Sequence, residues 1–250
     1  MPKDSSIFLQ TSKTGLGQAL RPEESFNATP DNGIMLGQTG MVDSINREKL
    51  PLPVTGLILC GGASQRMGRP KAFLPFGGRT MIEHMLSTVT EIFDEVFLVT
   101  NEPETFSHLS VNAVKDILPN RGPLCGLLSG LLVASNPYAF VLACDMPLIN
   151  KKLLRQMSTM RHNQDVVVLS HKGGIEPLLG VYSKACIKPL EDYLFAGNSQ
   201  ISDFLKGLKA TTYAYPEESI QGDSLPSYFN VNTPKDYSEI VTKAGRTWLD

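Results

Sequence analysis

The chain has 250 residues, 42% of them hydrophobic, and a formal net charge of −2 at pH 7. That length suits one large domain or two small ones and is enough to bury a full core. The near-neutral balance gives no electrostatic case for nucleic acid or an acidic membrane surface. No apolar run reaches membrane-spanning length, and the N-terminus lacks a charged-then-apolar leader pattern. Cys60, Cys125, Cys144 and Cys186 form no Cys-x-x-Cys pair. They read as small buried hydrophobes in a reducing, cytoplasmic protein rather than as disulfides or metal ligands.

In chain order, residues 1–52 are rich in Ser, Thr, Asn, Asp, Gln and Gly and show no sustained period. They are expected to form a flexible extension ending at Pro51-Leu-Pro53, with one domain over 53–250. The domain opens on Val54-Thr-Gly-Leu-Ile-Leu-Cys60, a short run of β-formers suited to a buried parallel strand. Gly61 and Gly62 follow, where a glycine lets the backbone turn sharply and approach a ligand. Ser64, Arg66 and Lys71 then add a hydroxyl and two cations. A strand, a glycine loop and fixed cations suit a triphosphate, since bare N–H groups reach its oxygens and cations neutralise developing charge. The loop is not a Walker loop, because Lys71 is followed by Ala72 and not directly preceded by Gly68. No Gly-x-Gly-x-x-Gly follows Cys60, so the dinucleotide fingerprint is absent as well.

Phe73 to Gly78 reads as a turn and Thr80 to Phe93 as a helix, with Ile82, Met85, Leu86, Val89 and Ile92 on one face. Strands are expected over Glu95–Thr100, with Asn101 just beyond, and over Val111–Val114, leading to Asp116. Arg121-Gly-Pro-Leu-Cys-Gly126 starts a helix to about Ser135; Pro123 suits its first turn, and Gly122 and Gly126 allow a backbone or a ligand to approach. Tyr138–Cys144 is a strongly apolar strand ending in Asp145-Met-Pro147. A carboxylate just past a central strand lies where open α/β sheets bind ligands, and Mg²⁺ favours one or two carboxylates with phosphate oxygens and water. Asp145 is therefore read as the metal ligand.

A helix is expected over Lys151–Arg161 and a strand over Asp165–Leu169. His171 reads as a solvated loop residue and, with no Cys or His nearby, a poor ligand. Glu176–Tyr182 reads as an antiparallel edge strand, Lys184–Phe195 and Ser202–Leu208 as helices, and Ala210–Tyr215 as a late strand. In Phe229-Asn-Val-Asn-Thr-Pro234, Asn230 and Asn232 alternate by two and share a face of an extended segment. Thr233 then caps a helix that opens on Pro234.

Leu59-Cys-Gly-Gly-Ala-Ser-Gln-Arg-Met-Gly-Arg-Pro-Lys71 resembles the signature loop of the nucleotidyltransferases, Leu-Ala-Gly-Gly-x-Ser-x-Arg-Met-Gly-x-x-Lys, with Cys60 in place of alanine. Asp116 with Gly122-Pro-Leu-Cys-Gly126, Asp145-Met-Pro147, Glu176-Pro-Leu-Leu-Gly-Val-Tyr182 and Phe229-Asn-Val-Asn-Thr-Pro234 follow in the family's order. Within that superfamily the chain most resembles the molybdenum cofactor guanylyltransferases, over roughly residues 54 to 246.

The resemblance implies an α/β, three-layer Rossmann-like nucleotidyltransferase fold, with a mostly parallel central sheet and an antiparallel edge strand. It implies transfer of GMP from GTP to the phosphate of molybdopterin, with Mg²⁺ as cofactor. Arg66, Lys71 and Asp145 would be catalytic, and Asp145 the metal ligand. Leu59, Cys60, Gly61, Gly62, Ser64, Asn101, Asp116, Gly122, Asn230 and Asn232 would line the substrates. Asp116 is left between receiving guanine N–H groups and supporting the metal, and Glu176 between contacting the pterin and capping its strand. Molybdoenzyme apoproteins or cofactor-delivery proteins are the further expected partners. A cytidylyl or sugar-phosphate nucleotidyltransferase is the rival within the fold; a non-catalytic molybdopterin carrier is the rival outside the class.

Overall fold

The computed structural model describes residues 52–61, 70–118, 122–217 and 224–247. The expected N-terminal extension, but for Leu52, and Gly62, Ser64 and Arg66 of the glycine loop lie outside these residues.

Strand β1 (Leu52–Leu59) is buried at each position from Val54 onward. A strand buried so completely needs a partner on each edge. It pairs in parallel with β4 (Phe93–Thr100) on one side and β6 (Tyr138–Ala143) on the other. The full sheet has seven strands, in the order β5 (Asn112–Lys115), β4, β1, β6, β8 (Gly174–Ser183), β7 (Val166–His171), β9 (Ala210–Ala214). Strand β8 runs antiparallel to both β6 and β7, and the other pairings are parallel.

The mostly parallel sheet with an antiparallel strand near one end matches the fold class expected from the sequence. The antiparallel strand is not outermost, however, because β7 and β9 extend the sheet beyond it. The neighbours decide the position: β8 pairs with β6 on one edge and β7 on the other, and Leu179, Val181 and Tyr182 are at most 1% exposed between the covering layers. Between the pairs Val168–Gly180 and Leu169–Glu176 the β7–β8 register shifts, so Pro177 to Leu179 stand outside that ladder in a wide bulge.

Successive side chains of β1 point to opposite faces. Ile58 packs with Ile82, Met85 and Val89 of α1 (Met81–Val89) and with Leu153, Leu154 and Met157 of α3 (Lys151–Thr159). Leu57 and Leu59 pack on the other side with α2 (Pro123–Val133), α4 (Ile187–Phe195) and α5 (Ile201–Lys206). The result is three layers. Helix α2 is buried nearly all round; Gly130 is its contact point with β1, since a Cβ there would lie 2.5 Å from Leu57 Cδ1.

Helix α1 opens with a capping box, Thr80 accepting from the Glu83 N–H and Glu83 accepting from the Thr80 N–H. It ends at Val89, short of the expected Phe93, because Phe93 is the first residue of β4 and its partner in β1 is Leu52. The expected turn at Phe73–Gly78 contains a small hairpin, β2 (Pro75–Phe76) with β3 (Arg79–Thr80). Gly77 and Gly78 both take positive φ at its tip, as a two-residue hairpin turn requires. Phe76 and Met81 share a third cluster with Val231 and with Ile240 of α6 (Pro234–Thr247). This contact brings the C-terminal segment back beside Lys71.

Candidate active site

From β1 the chain proceeds outward to β4 and β5, then returns to β6 on the other side of β1. The crevice beyond the carboxyl ends of β1 and β6 is therefore the topological switch point, where open α/β sheets hold ligands. Leu59 pairs with Ala143, so Gly61 and Asp145 stand at matching positions just past the two strands. Among the described residues, nothing lies within 4 Å of where a Cβ on Gly61 would be. The Leu59 side chain is in the core beside Gly126, and its carbonyl accepts from the Cys144 N–H at 3.2 Å. The Cys60 N–H donates to the Val99 carbonyl at 2.8 Å. Burial, then the adjacent Cys144 thiol, push the Cys60 pKa well up, so Cys60 behaves as a neutral small group.

Lys71 is the first residue of a single 3₁₀ turn, Lys71–Phe73. Its Nζ donates to Asn232 Oδ1 at 2.7 Å and stands 3.9 Å from Asp145 Oδ2. The Val231 N–H donates to the Asp145 carbonyl at 2.9 Å, which fixes the Asn-x-Asn segment against the end of β6. Val231 is fully buried between the two asparagines. Asn230 donates its amide to the Tyr228 carbonyl at 3.3 Å, so only Asn232 of the pair meets Lys71. The start of α6 is braced as expected: Asp236 accepts from the N–H groups of Asn232 and Thr233, and the Thr233 hydroxyl accepts from the Asp236 N–H.

Asp145 Oδ1 is buried and has no hydrogen-bond partner among the described residues. Burial raises the Asp145 pKa against the opposing pull of Lys71, and Glu176 adds to the rise. An unsatisfied buried carboxylate oxygen costs free energy that a ligand can return. No group of three or more His, Cys, Asp or Glu suited to a metal occurs among the described residues. One hard carboxylate oxygen without a protein cage fits Mg²⁺, which takes its remaining ligands from phosphate and water.

Asn101 and Asp116 follow the next two strands at matching positions, since Thr100 pairs with Lys115. Asn101 Oδ1 is a second buried acceptor with no partner among the described residues. Asp116 Oδ1 accepts from the Leu118 N–H at 3.1 Å and from the Ser129 hydroxyl at 3.0 Å, which ties it to α2. Gly122 caps α2 at φ 84°, a left-handed conformation that favours glycine, and no described residue lies within 4 Å of where its Cβ would be.

Because β8 is antiparallel, its beginning reaches the same edge of the sheet as Asp145. Glu176 lies there, and its Oε1 is 3.1 Å from His171 Nε2. His171 is the last residue of β7, not a solvated loop residue as its sequence context suggests. Its side chain is 13% exposed and stacks on Tyr228, centroids 4.1 Å apart. Tyr215 meets Tyr228 edge-on at 4.9 Å. Nothing local to His171 in the sequence announces these partners. Tyr228 does precede the Phe229-Asn-Val-Asn motif directly, and that adjacency was a usable signal.

Residues 56–212 match the model of the MobA-like NTP transferase domain. The chain is 36% identical over 199 residues to the molybdenum cofactor guanylyltransferase of Desulfosudis oleivorans, covering 77% of this chain and 98% of that protein. It is also 36% identical over 190 residues to a protein of Carboxydothermus hydrogenoformans named "Probable molybdenum cofactor guanylyltransferase", covering 75% and 95%. The crystal structure of molybdopterin-guanine dinucleotide biosynthesis protein A from Archaeoglobus fulgidus shares the fold, with a TM-score of 0.66 at 23% identity over 77% of this chain and 100% of that one. The chain belongs to the MobA-like NTP transferase family.

Proposed function

We propose that this protein transfers GMP from GTP to the terminal phosphate of molybdopterin, releasing pyrophosphate. The observation that carries this reading is the meeting of Lys71, Asn232 and the buried Asp145 carboxylate, whose Oδ1 has no partner among the described residues, at the switch point beside Gly61. The names of the relatives supply the substrates. A phosphate oxygen of molybdopterin attacks the α-phosphorus of GTP; the bond from that phosphorus to the β-phosphate bridging oxygen breaks, and its electron pair leaves with pyrophosphate. No covalent enzyme intermediate is needed, so catalysis is positioning plus charge neutralisation.

In this reading the backbone at Gly61 accepts the close approach of the nucleotide. Lys71, oriented by Asn232, neutralises phosphate oxygens as charge moves toward the leaving group. Asp145 would hold a divalent ion, with Mg²⁺ the expected one; when bound, it supplies Lewis-acid charge to the phosphates. In this reading the buried amide oxygen of Asn101 would receive a base N–H. Arg66, Ser64 and Gly62 keep their proposed phosphate roles. Asp116 and Gly122 are assigned to the nucleotide side of the cleft, and the cytoplasm is the proposed compartment; no described helix is long and apolar enough to cross a membrane.

The test is pyrophosphate release by the purified chain with molybdopterin, Mg²⁺ and each of GTP, CTP and ATP, with the product mass measured. GTP should be preferred by on the order of 10²-fold or more, because unmatched base-edge groups are left unpaired in a site built to bond them. Preference for CTP would place the chain in the cytidylyl branch. Tight molybdopterin binding without pyrophosphate release would make it a carrier.

A further inference from the structure

Along the carboxyl edge of the sheet the described groups fall in a row. Asp116, Asn101 and Gly61 lie on one side of Asp145; Glu176, His171 and Tyr215 lie on the other. A transfer reaction has two substrates that meet at one phosphorus, so the nucleotide half and the acceptor half should flank the central acid. The second half is unlike the first. It is an aromatic and carboxylate cluster, held by the bulge at Pro177 and braced where the Tyr182 hydroxyl donates to the Pro177 carbonyl at 2.6 Å.

The His171 ring is locked from three directions. The Gly173 N–H donates to Nδ1 at 3.0 Å, which an Nδ1 bearing its own proton could not accept. The neutral ring therefore carries its proton on Nε2 and donates it to Glu176 Oε1 at 3.1 Å. Its face lies on Tyr228 at 4.1 Å with an interplanar angle of 17°. The Tyr228 hydroxyl in turn donates to Glu217 at 3.0 Å, which fixes that ring. A surface carboxylate used only to cap a strand needs no such assembly.

We propose that His171 is a positioning residue, which holds Glu176 so that its carboxylate receives the N–H donors of the acceptor's pterin ring. This rests on the guanylyl-transfer reading above. A 2-amino-4-oxo heterocycle presents two adjacent N–H donors on one edge, and an oriented carboxylate accepts both. His171 itself need not touch either substrate; it acts through Glu176.

The experiment is steady-state kinetics of the full chain, with GTP saturating and molybdopterin varied, then the reverse. His171→Phe keeps a stacked ring but removes the Nε2–H donor. It should raise the KM for molybdopterin about tenfold, with kcat and the KM for GTP within about twofold of the parent. His171→Gln, which restores an N–H, should recover most of the loss. Glu176→Gln should show the same acceptor defect, and the double variant His171→Phe with Glu176→Gln should be no worse than either alone. Should the phenylalanine variant melt as an unfolded chain, His171→Leu carries the same expectation. An unchanged molybdopterin KM in a folded His171 variant, an equal rise in both KM values, or additive losses in the double variant would overturn the positioning role. If the unsubstituted protein fails to turn over GTP with molybdopterin, the transfer reading itself falls; an active parent with an indifferent His171 variant removes this inference alone.

Discussion

Lys71 is bonded to the neutral amide of Asn232 at 2.7 Å and stands farther, 3.9 Å, from the carboxylate of Asp145. The cation is thus aimed by one partner and attracted by another without being locked to it. Both side chains of the ion pair are mostly buried, at 15% and 22% exposure. A tight buried pair would have to be broken before either member served a substrate, at considerable cost. The looser spacing leaves Lys71 and Asp145 available to phosphate and metal while holding them within one cleft.

Lys71→Ala and Asp145→Ala should each lower kcat/KM for GTP by about 10²–10³-fold, the scale of losing one oriented charge at a transferring phosphoryl group. Circular dichroism and the melting curve should remain those of a folded protein, because both residues lie at the rim of the sheet and not in its core. Near-parental turnover in either variant would remove the assigned roles.

Asn232→Ala tests the aiming of Lys71. Removing an acceptor from a charged donor costs about 1.5–3 kcal/mol, so kcat/KM for GTP should fall roughly 10-fold or more. The loss should be much smaller when Asn232→Ala is added to Lys71→Ala, since the amide then has nothing to orient. Equal losses in the two backgrounds would show that Asn232 acts on the substrate directly.

Asp145→Asn should abolish transfer yet raise the melting temperature of the ligand-free protein at neutral pH. Burial lifts the Asp145 pKa above its ordinary value, Lys71 opposing. A carboxyl that is harder to ionise when folded weakens the fold wherever it is ionised, above its folded pKa. The stabilising effect of the amide should therefore be present at pH 7 and vanish as the pH falls below the ordinary carboxylate range. Melting curves of both proteins from pH 4 to pH 8 check the sign; a destabilised variant at pH 7 would contradict it.

The framework of this site was legible because its parts are local in sequence. An apolar strand that ends in a carboxylate, as Tyr138 to Asp145 does, announces a ligand position through burial and sheet geometry alone. Thr233, Pro234 and Asp236 announce a helix start in four residues. What the sequence did not disclose was assembled at long range. The Lys71–Asn232 bond joins positions 161 residues apart, and the stack of His171 on Tyr228 depends on where β7 lies relative to a later loop. The interior place of β8 was hidden for a different reason. Antiparallel pairing leaves the same apolar run whether one edge or both are filled, and only the neighbours of the strand decide it.

The opposite edge of the sheet supplies a prediction in which stability and activity separate. Glu95, near the start of β4, accepts from the Thr55 hydroxyl at 2.5 Å and from the Ser135 N–H and hydroxyl at 2.8 and 2.7 Å. It thereby ties β4 and β1 to the connection between α2 and β6. Burial pushes its pKa up, but the bonds from Thr55 and Ser135 outweigh this and hold the carboxyl below its ordinary range. A depressed folded pKa contributes stability that is present above the unfolded value and lost as pH falls through the folded one. Glu95→Ala should cost about 2 kcal/mol at pH 7 and lower the melting temperature by roughly 4–8 °C. The gap between variant and parent should close in acid. Because Glu95 is at the amino edge of the parallel strands and the site is at the carboxyl edge, kcat and both KM values should stay within about twofold at temperatures where the variant is folded. A large kinetic defect in a folded Glu95→Ala protein would mean that the two edges communicate through β1.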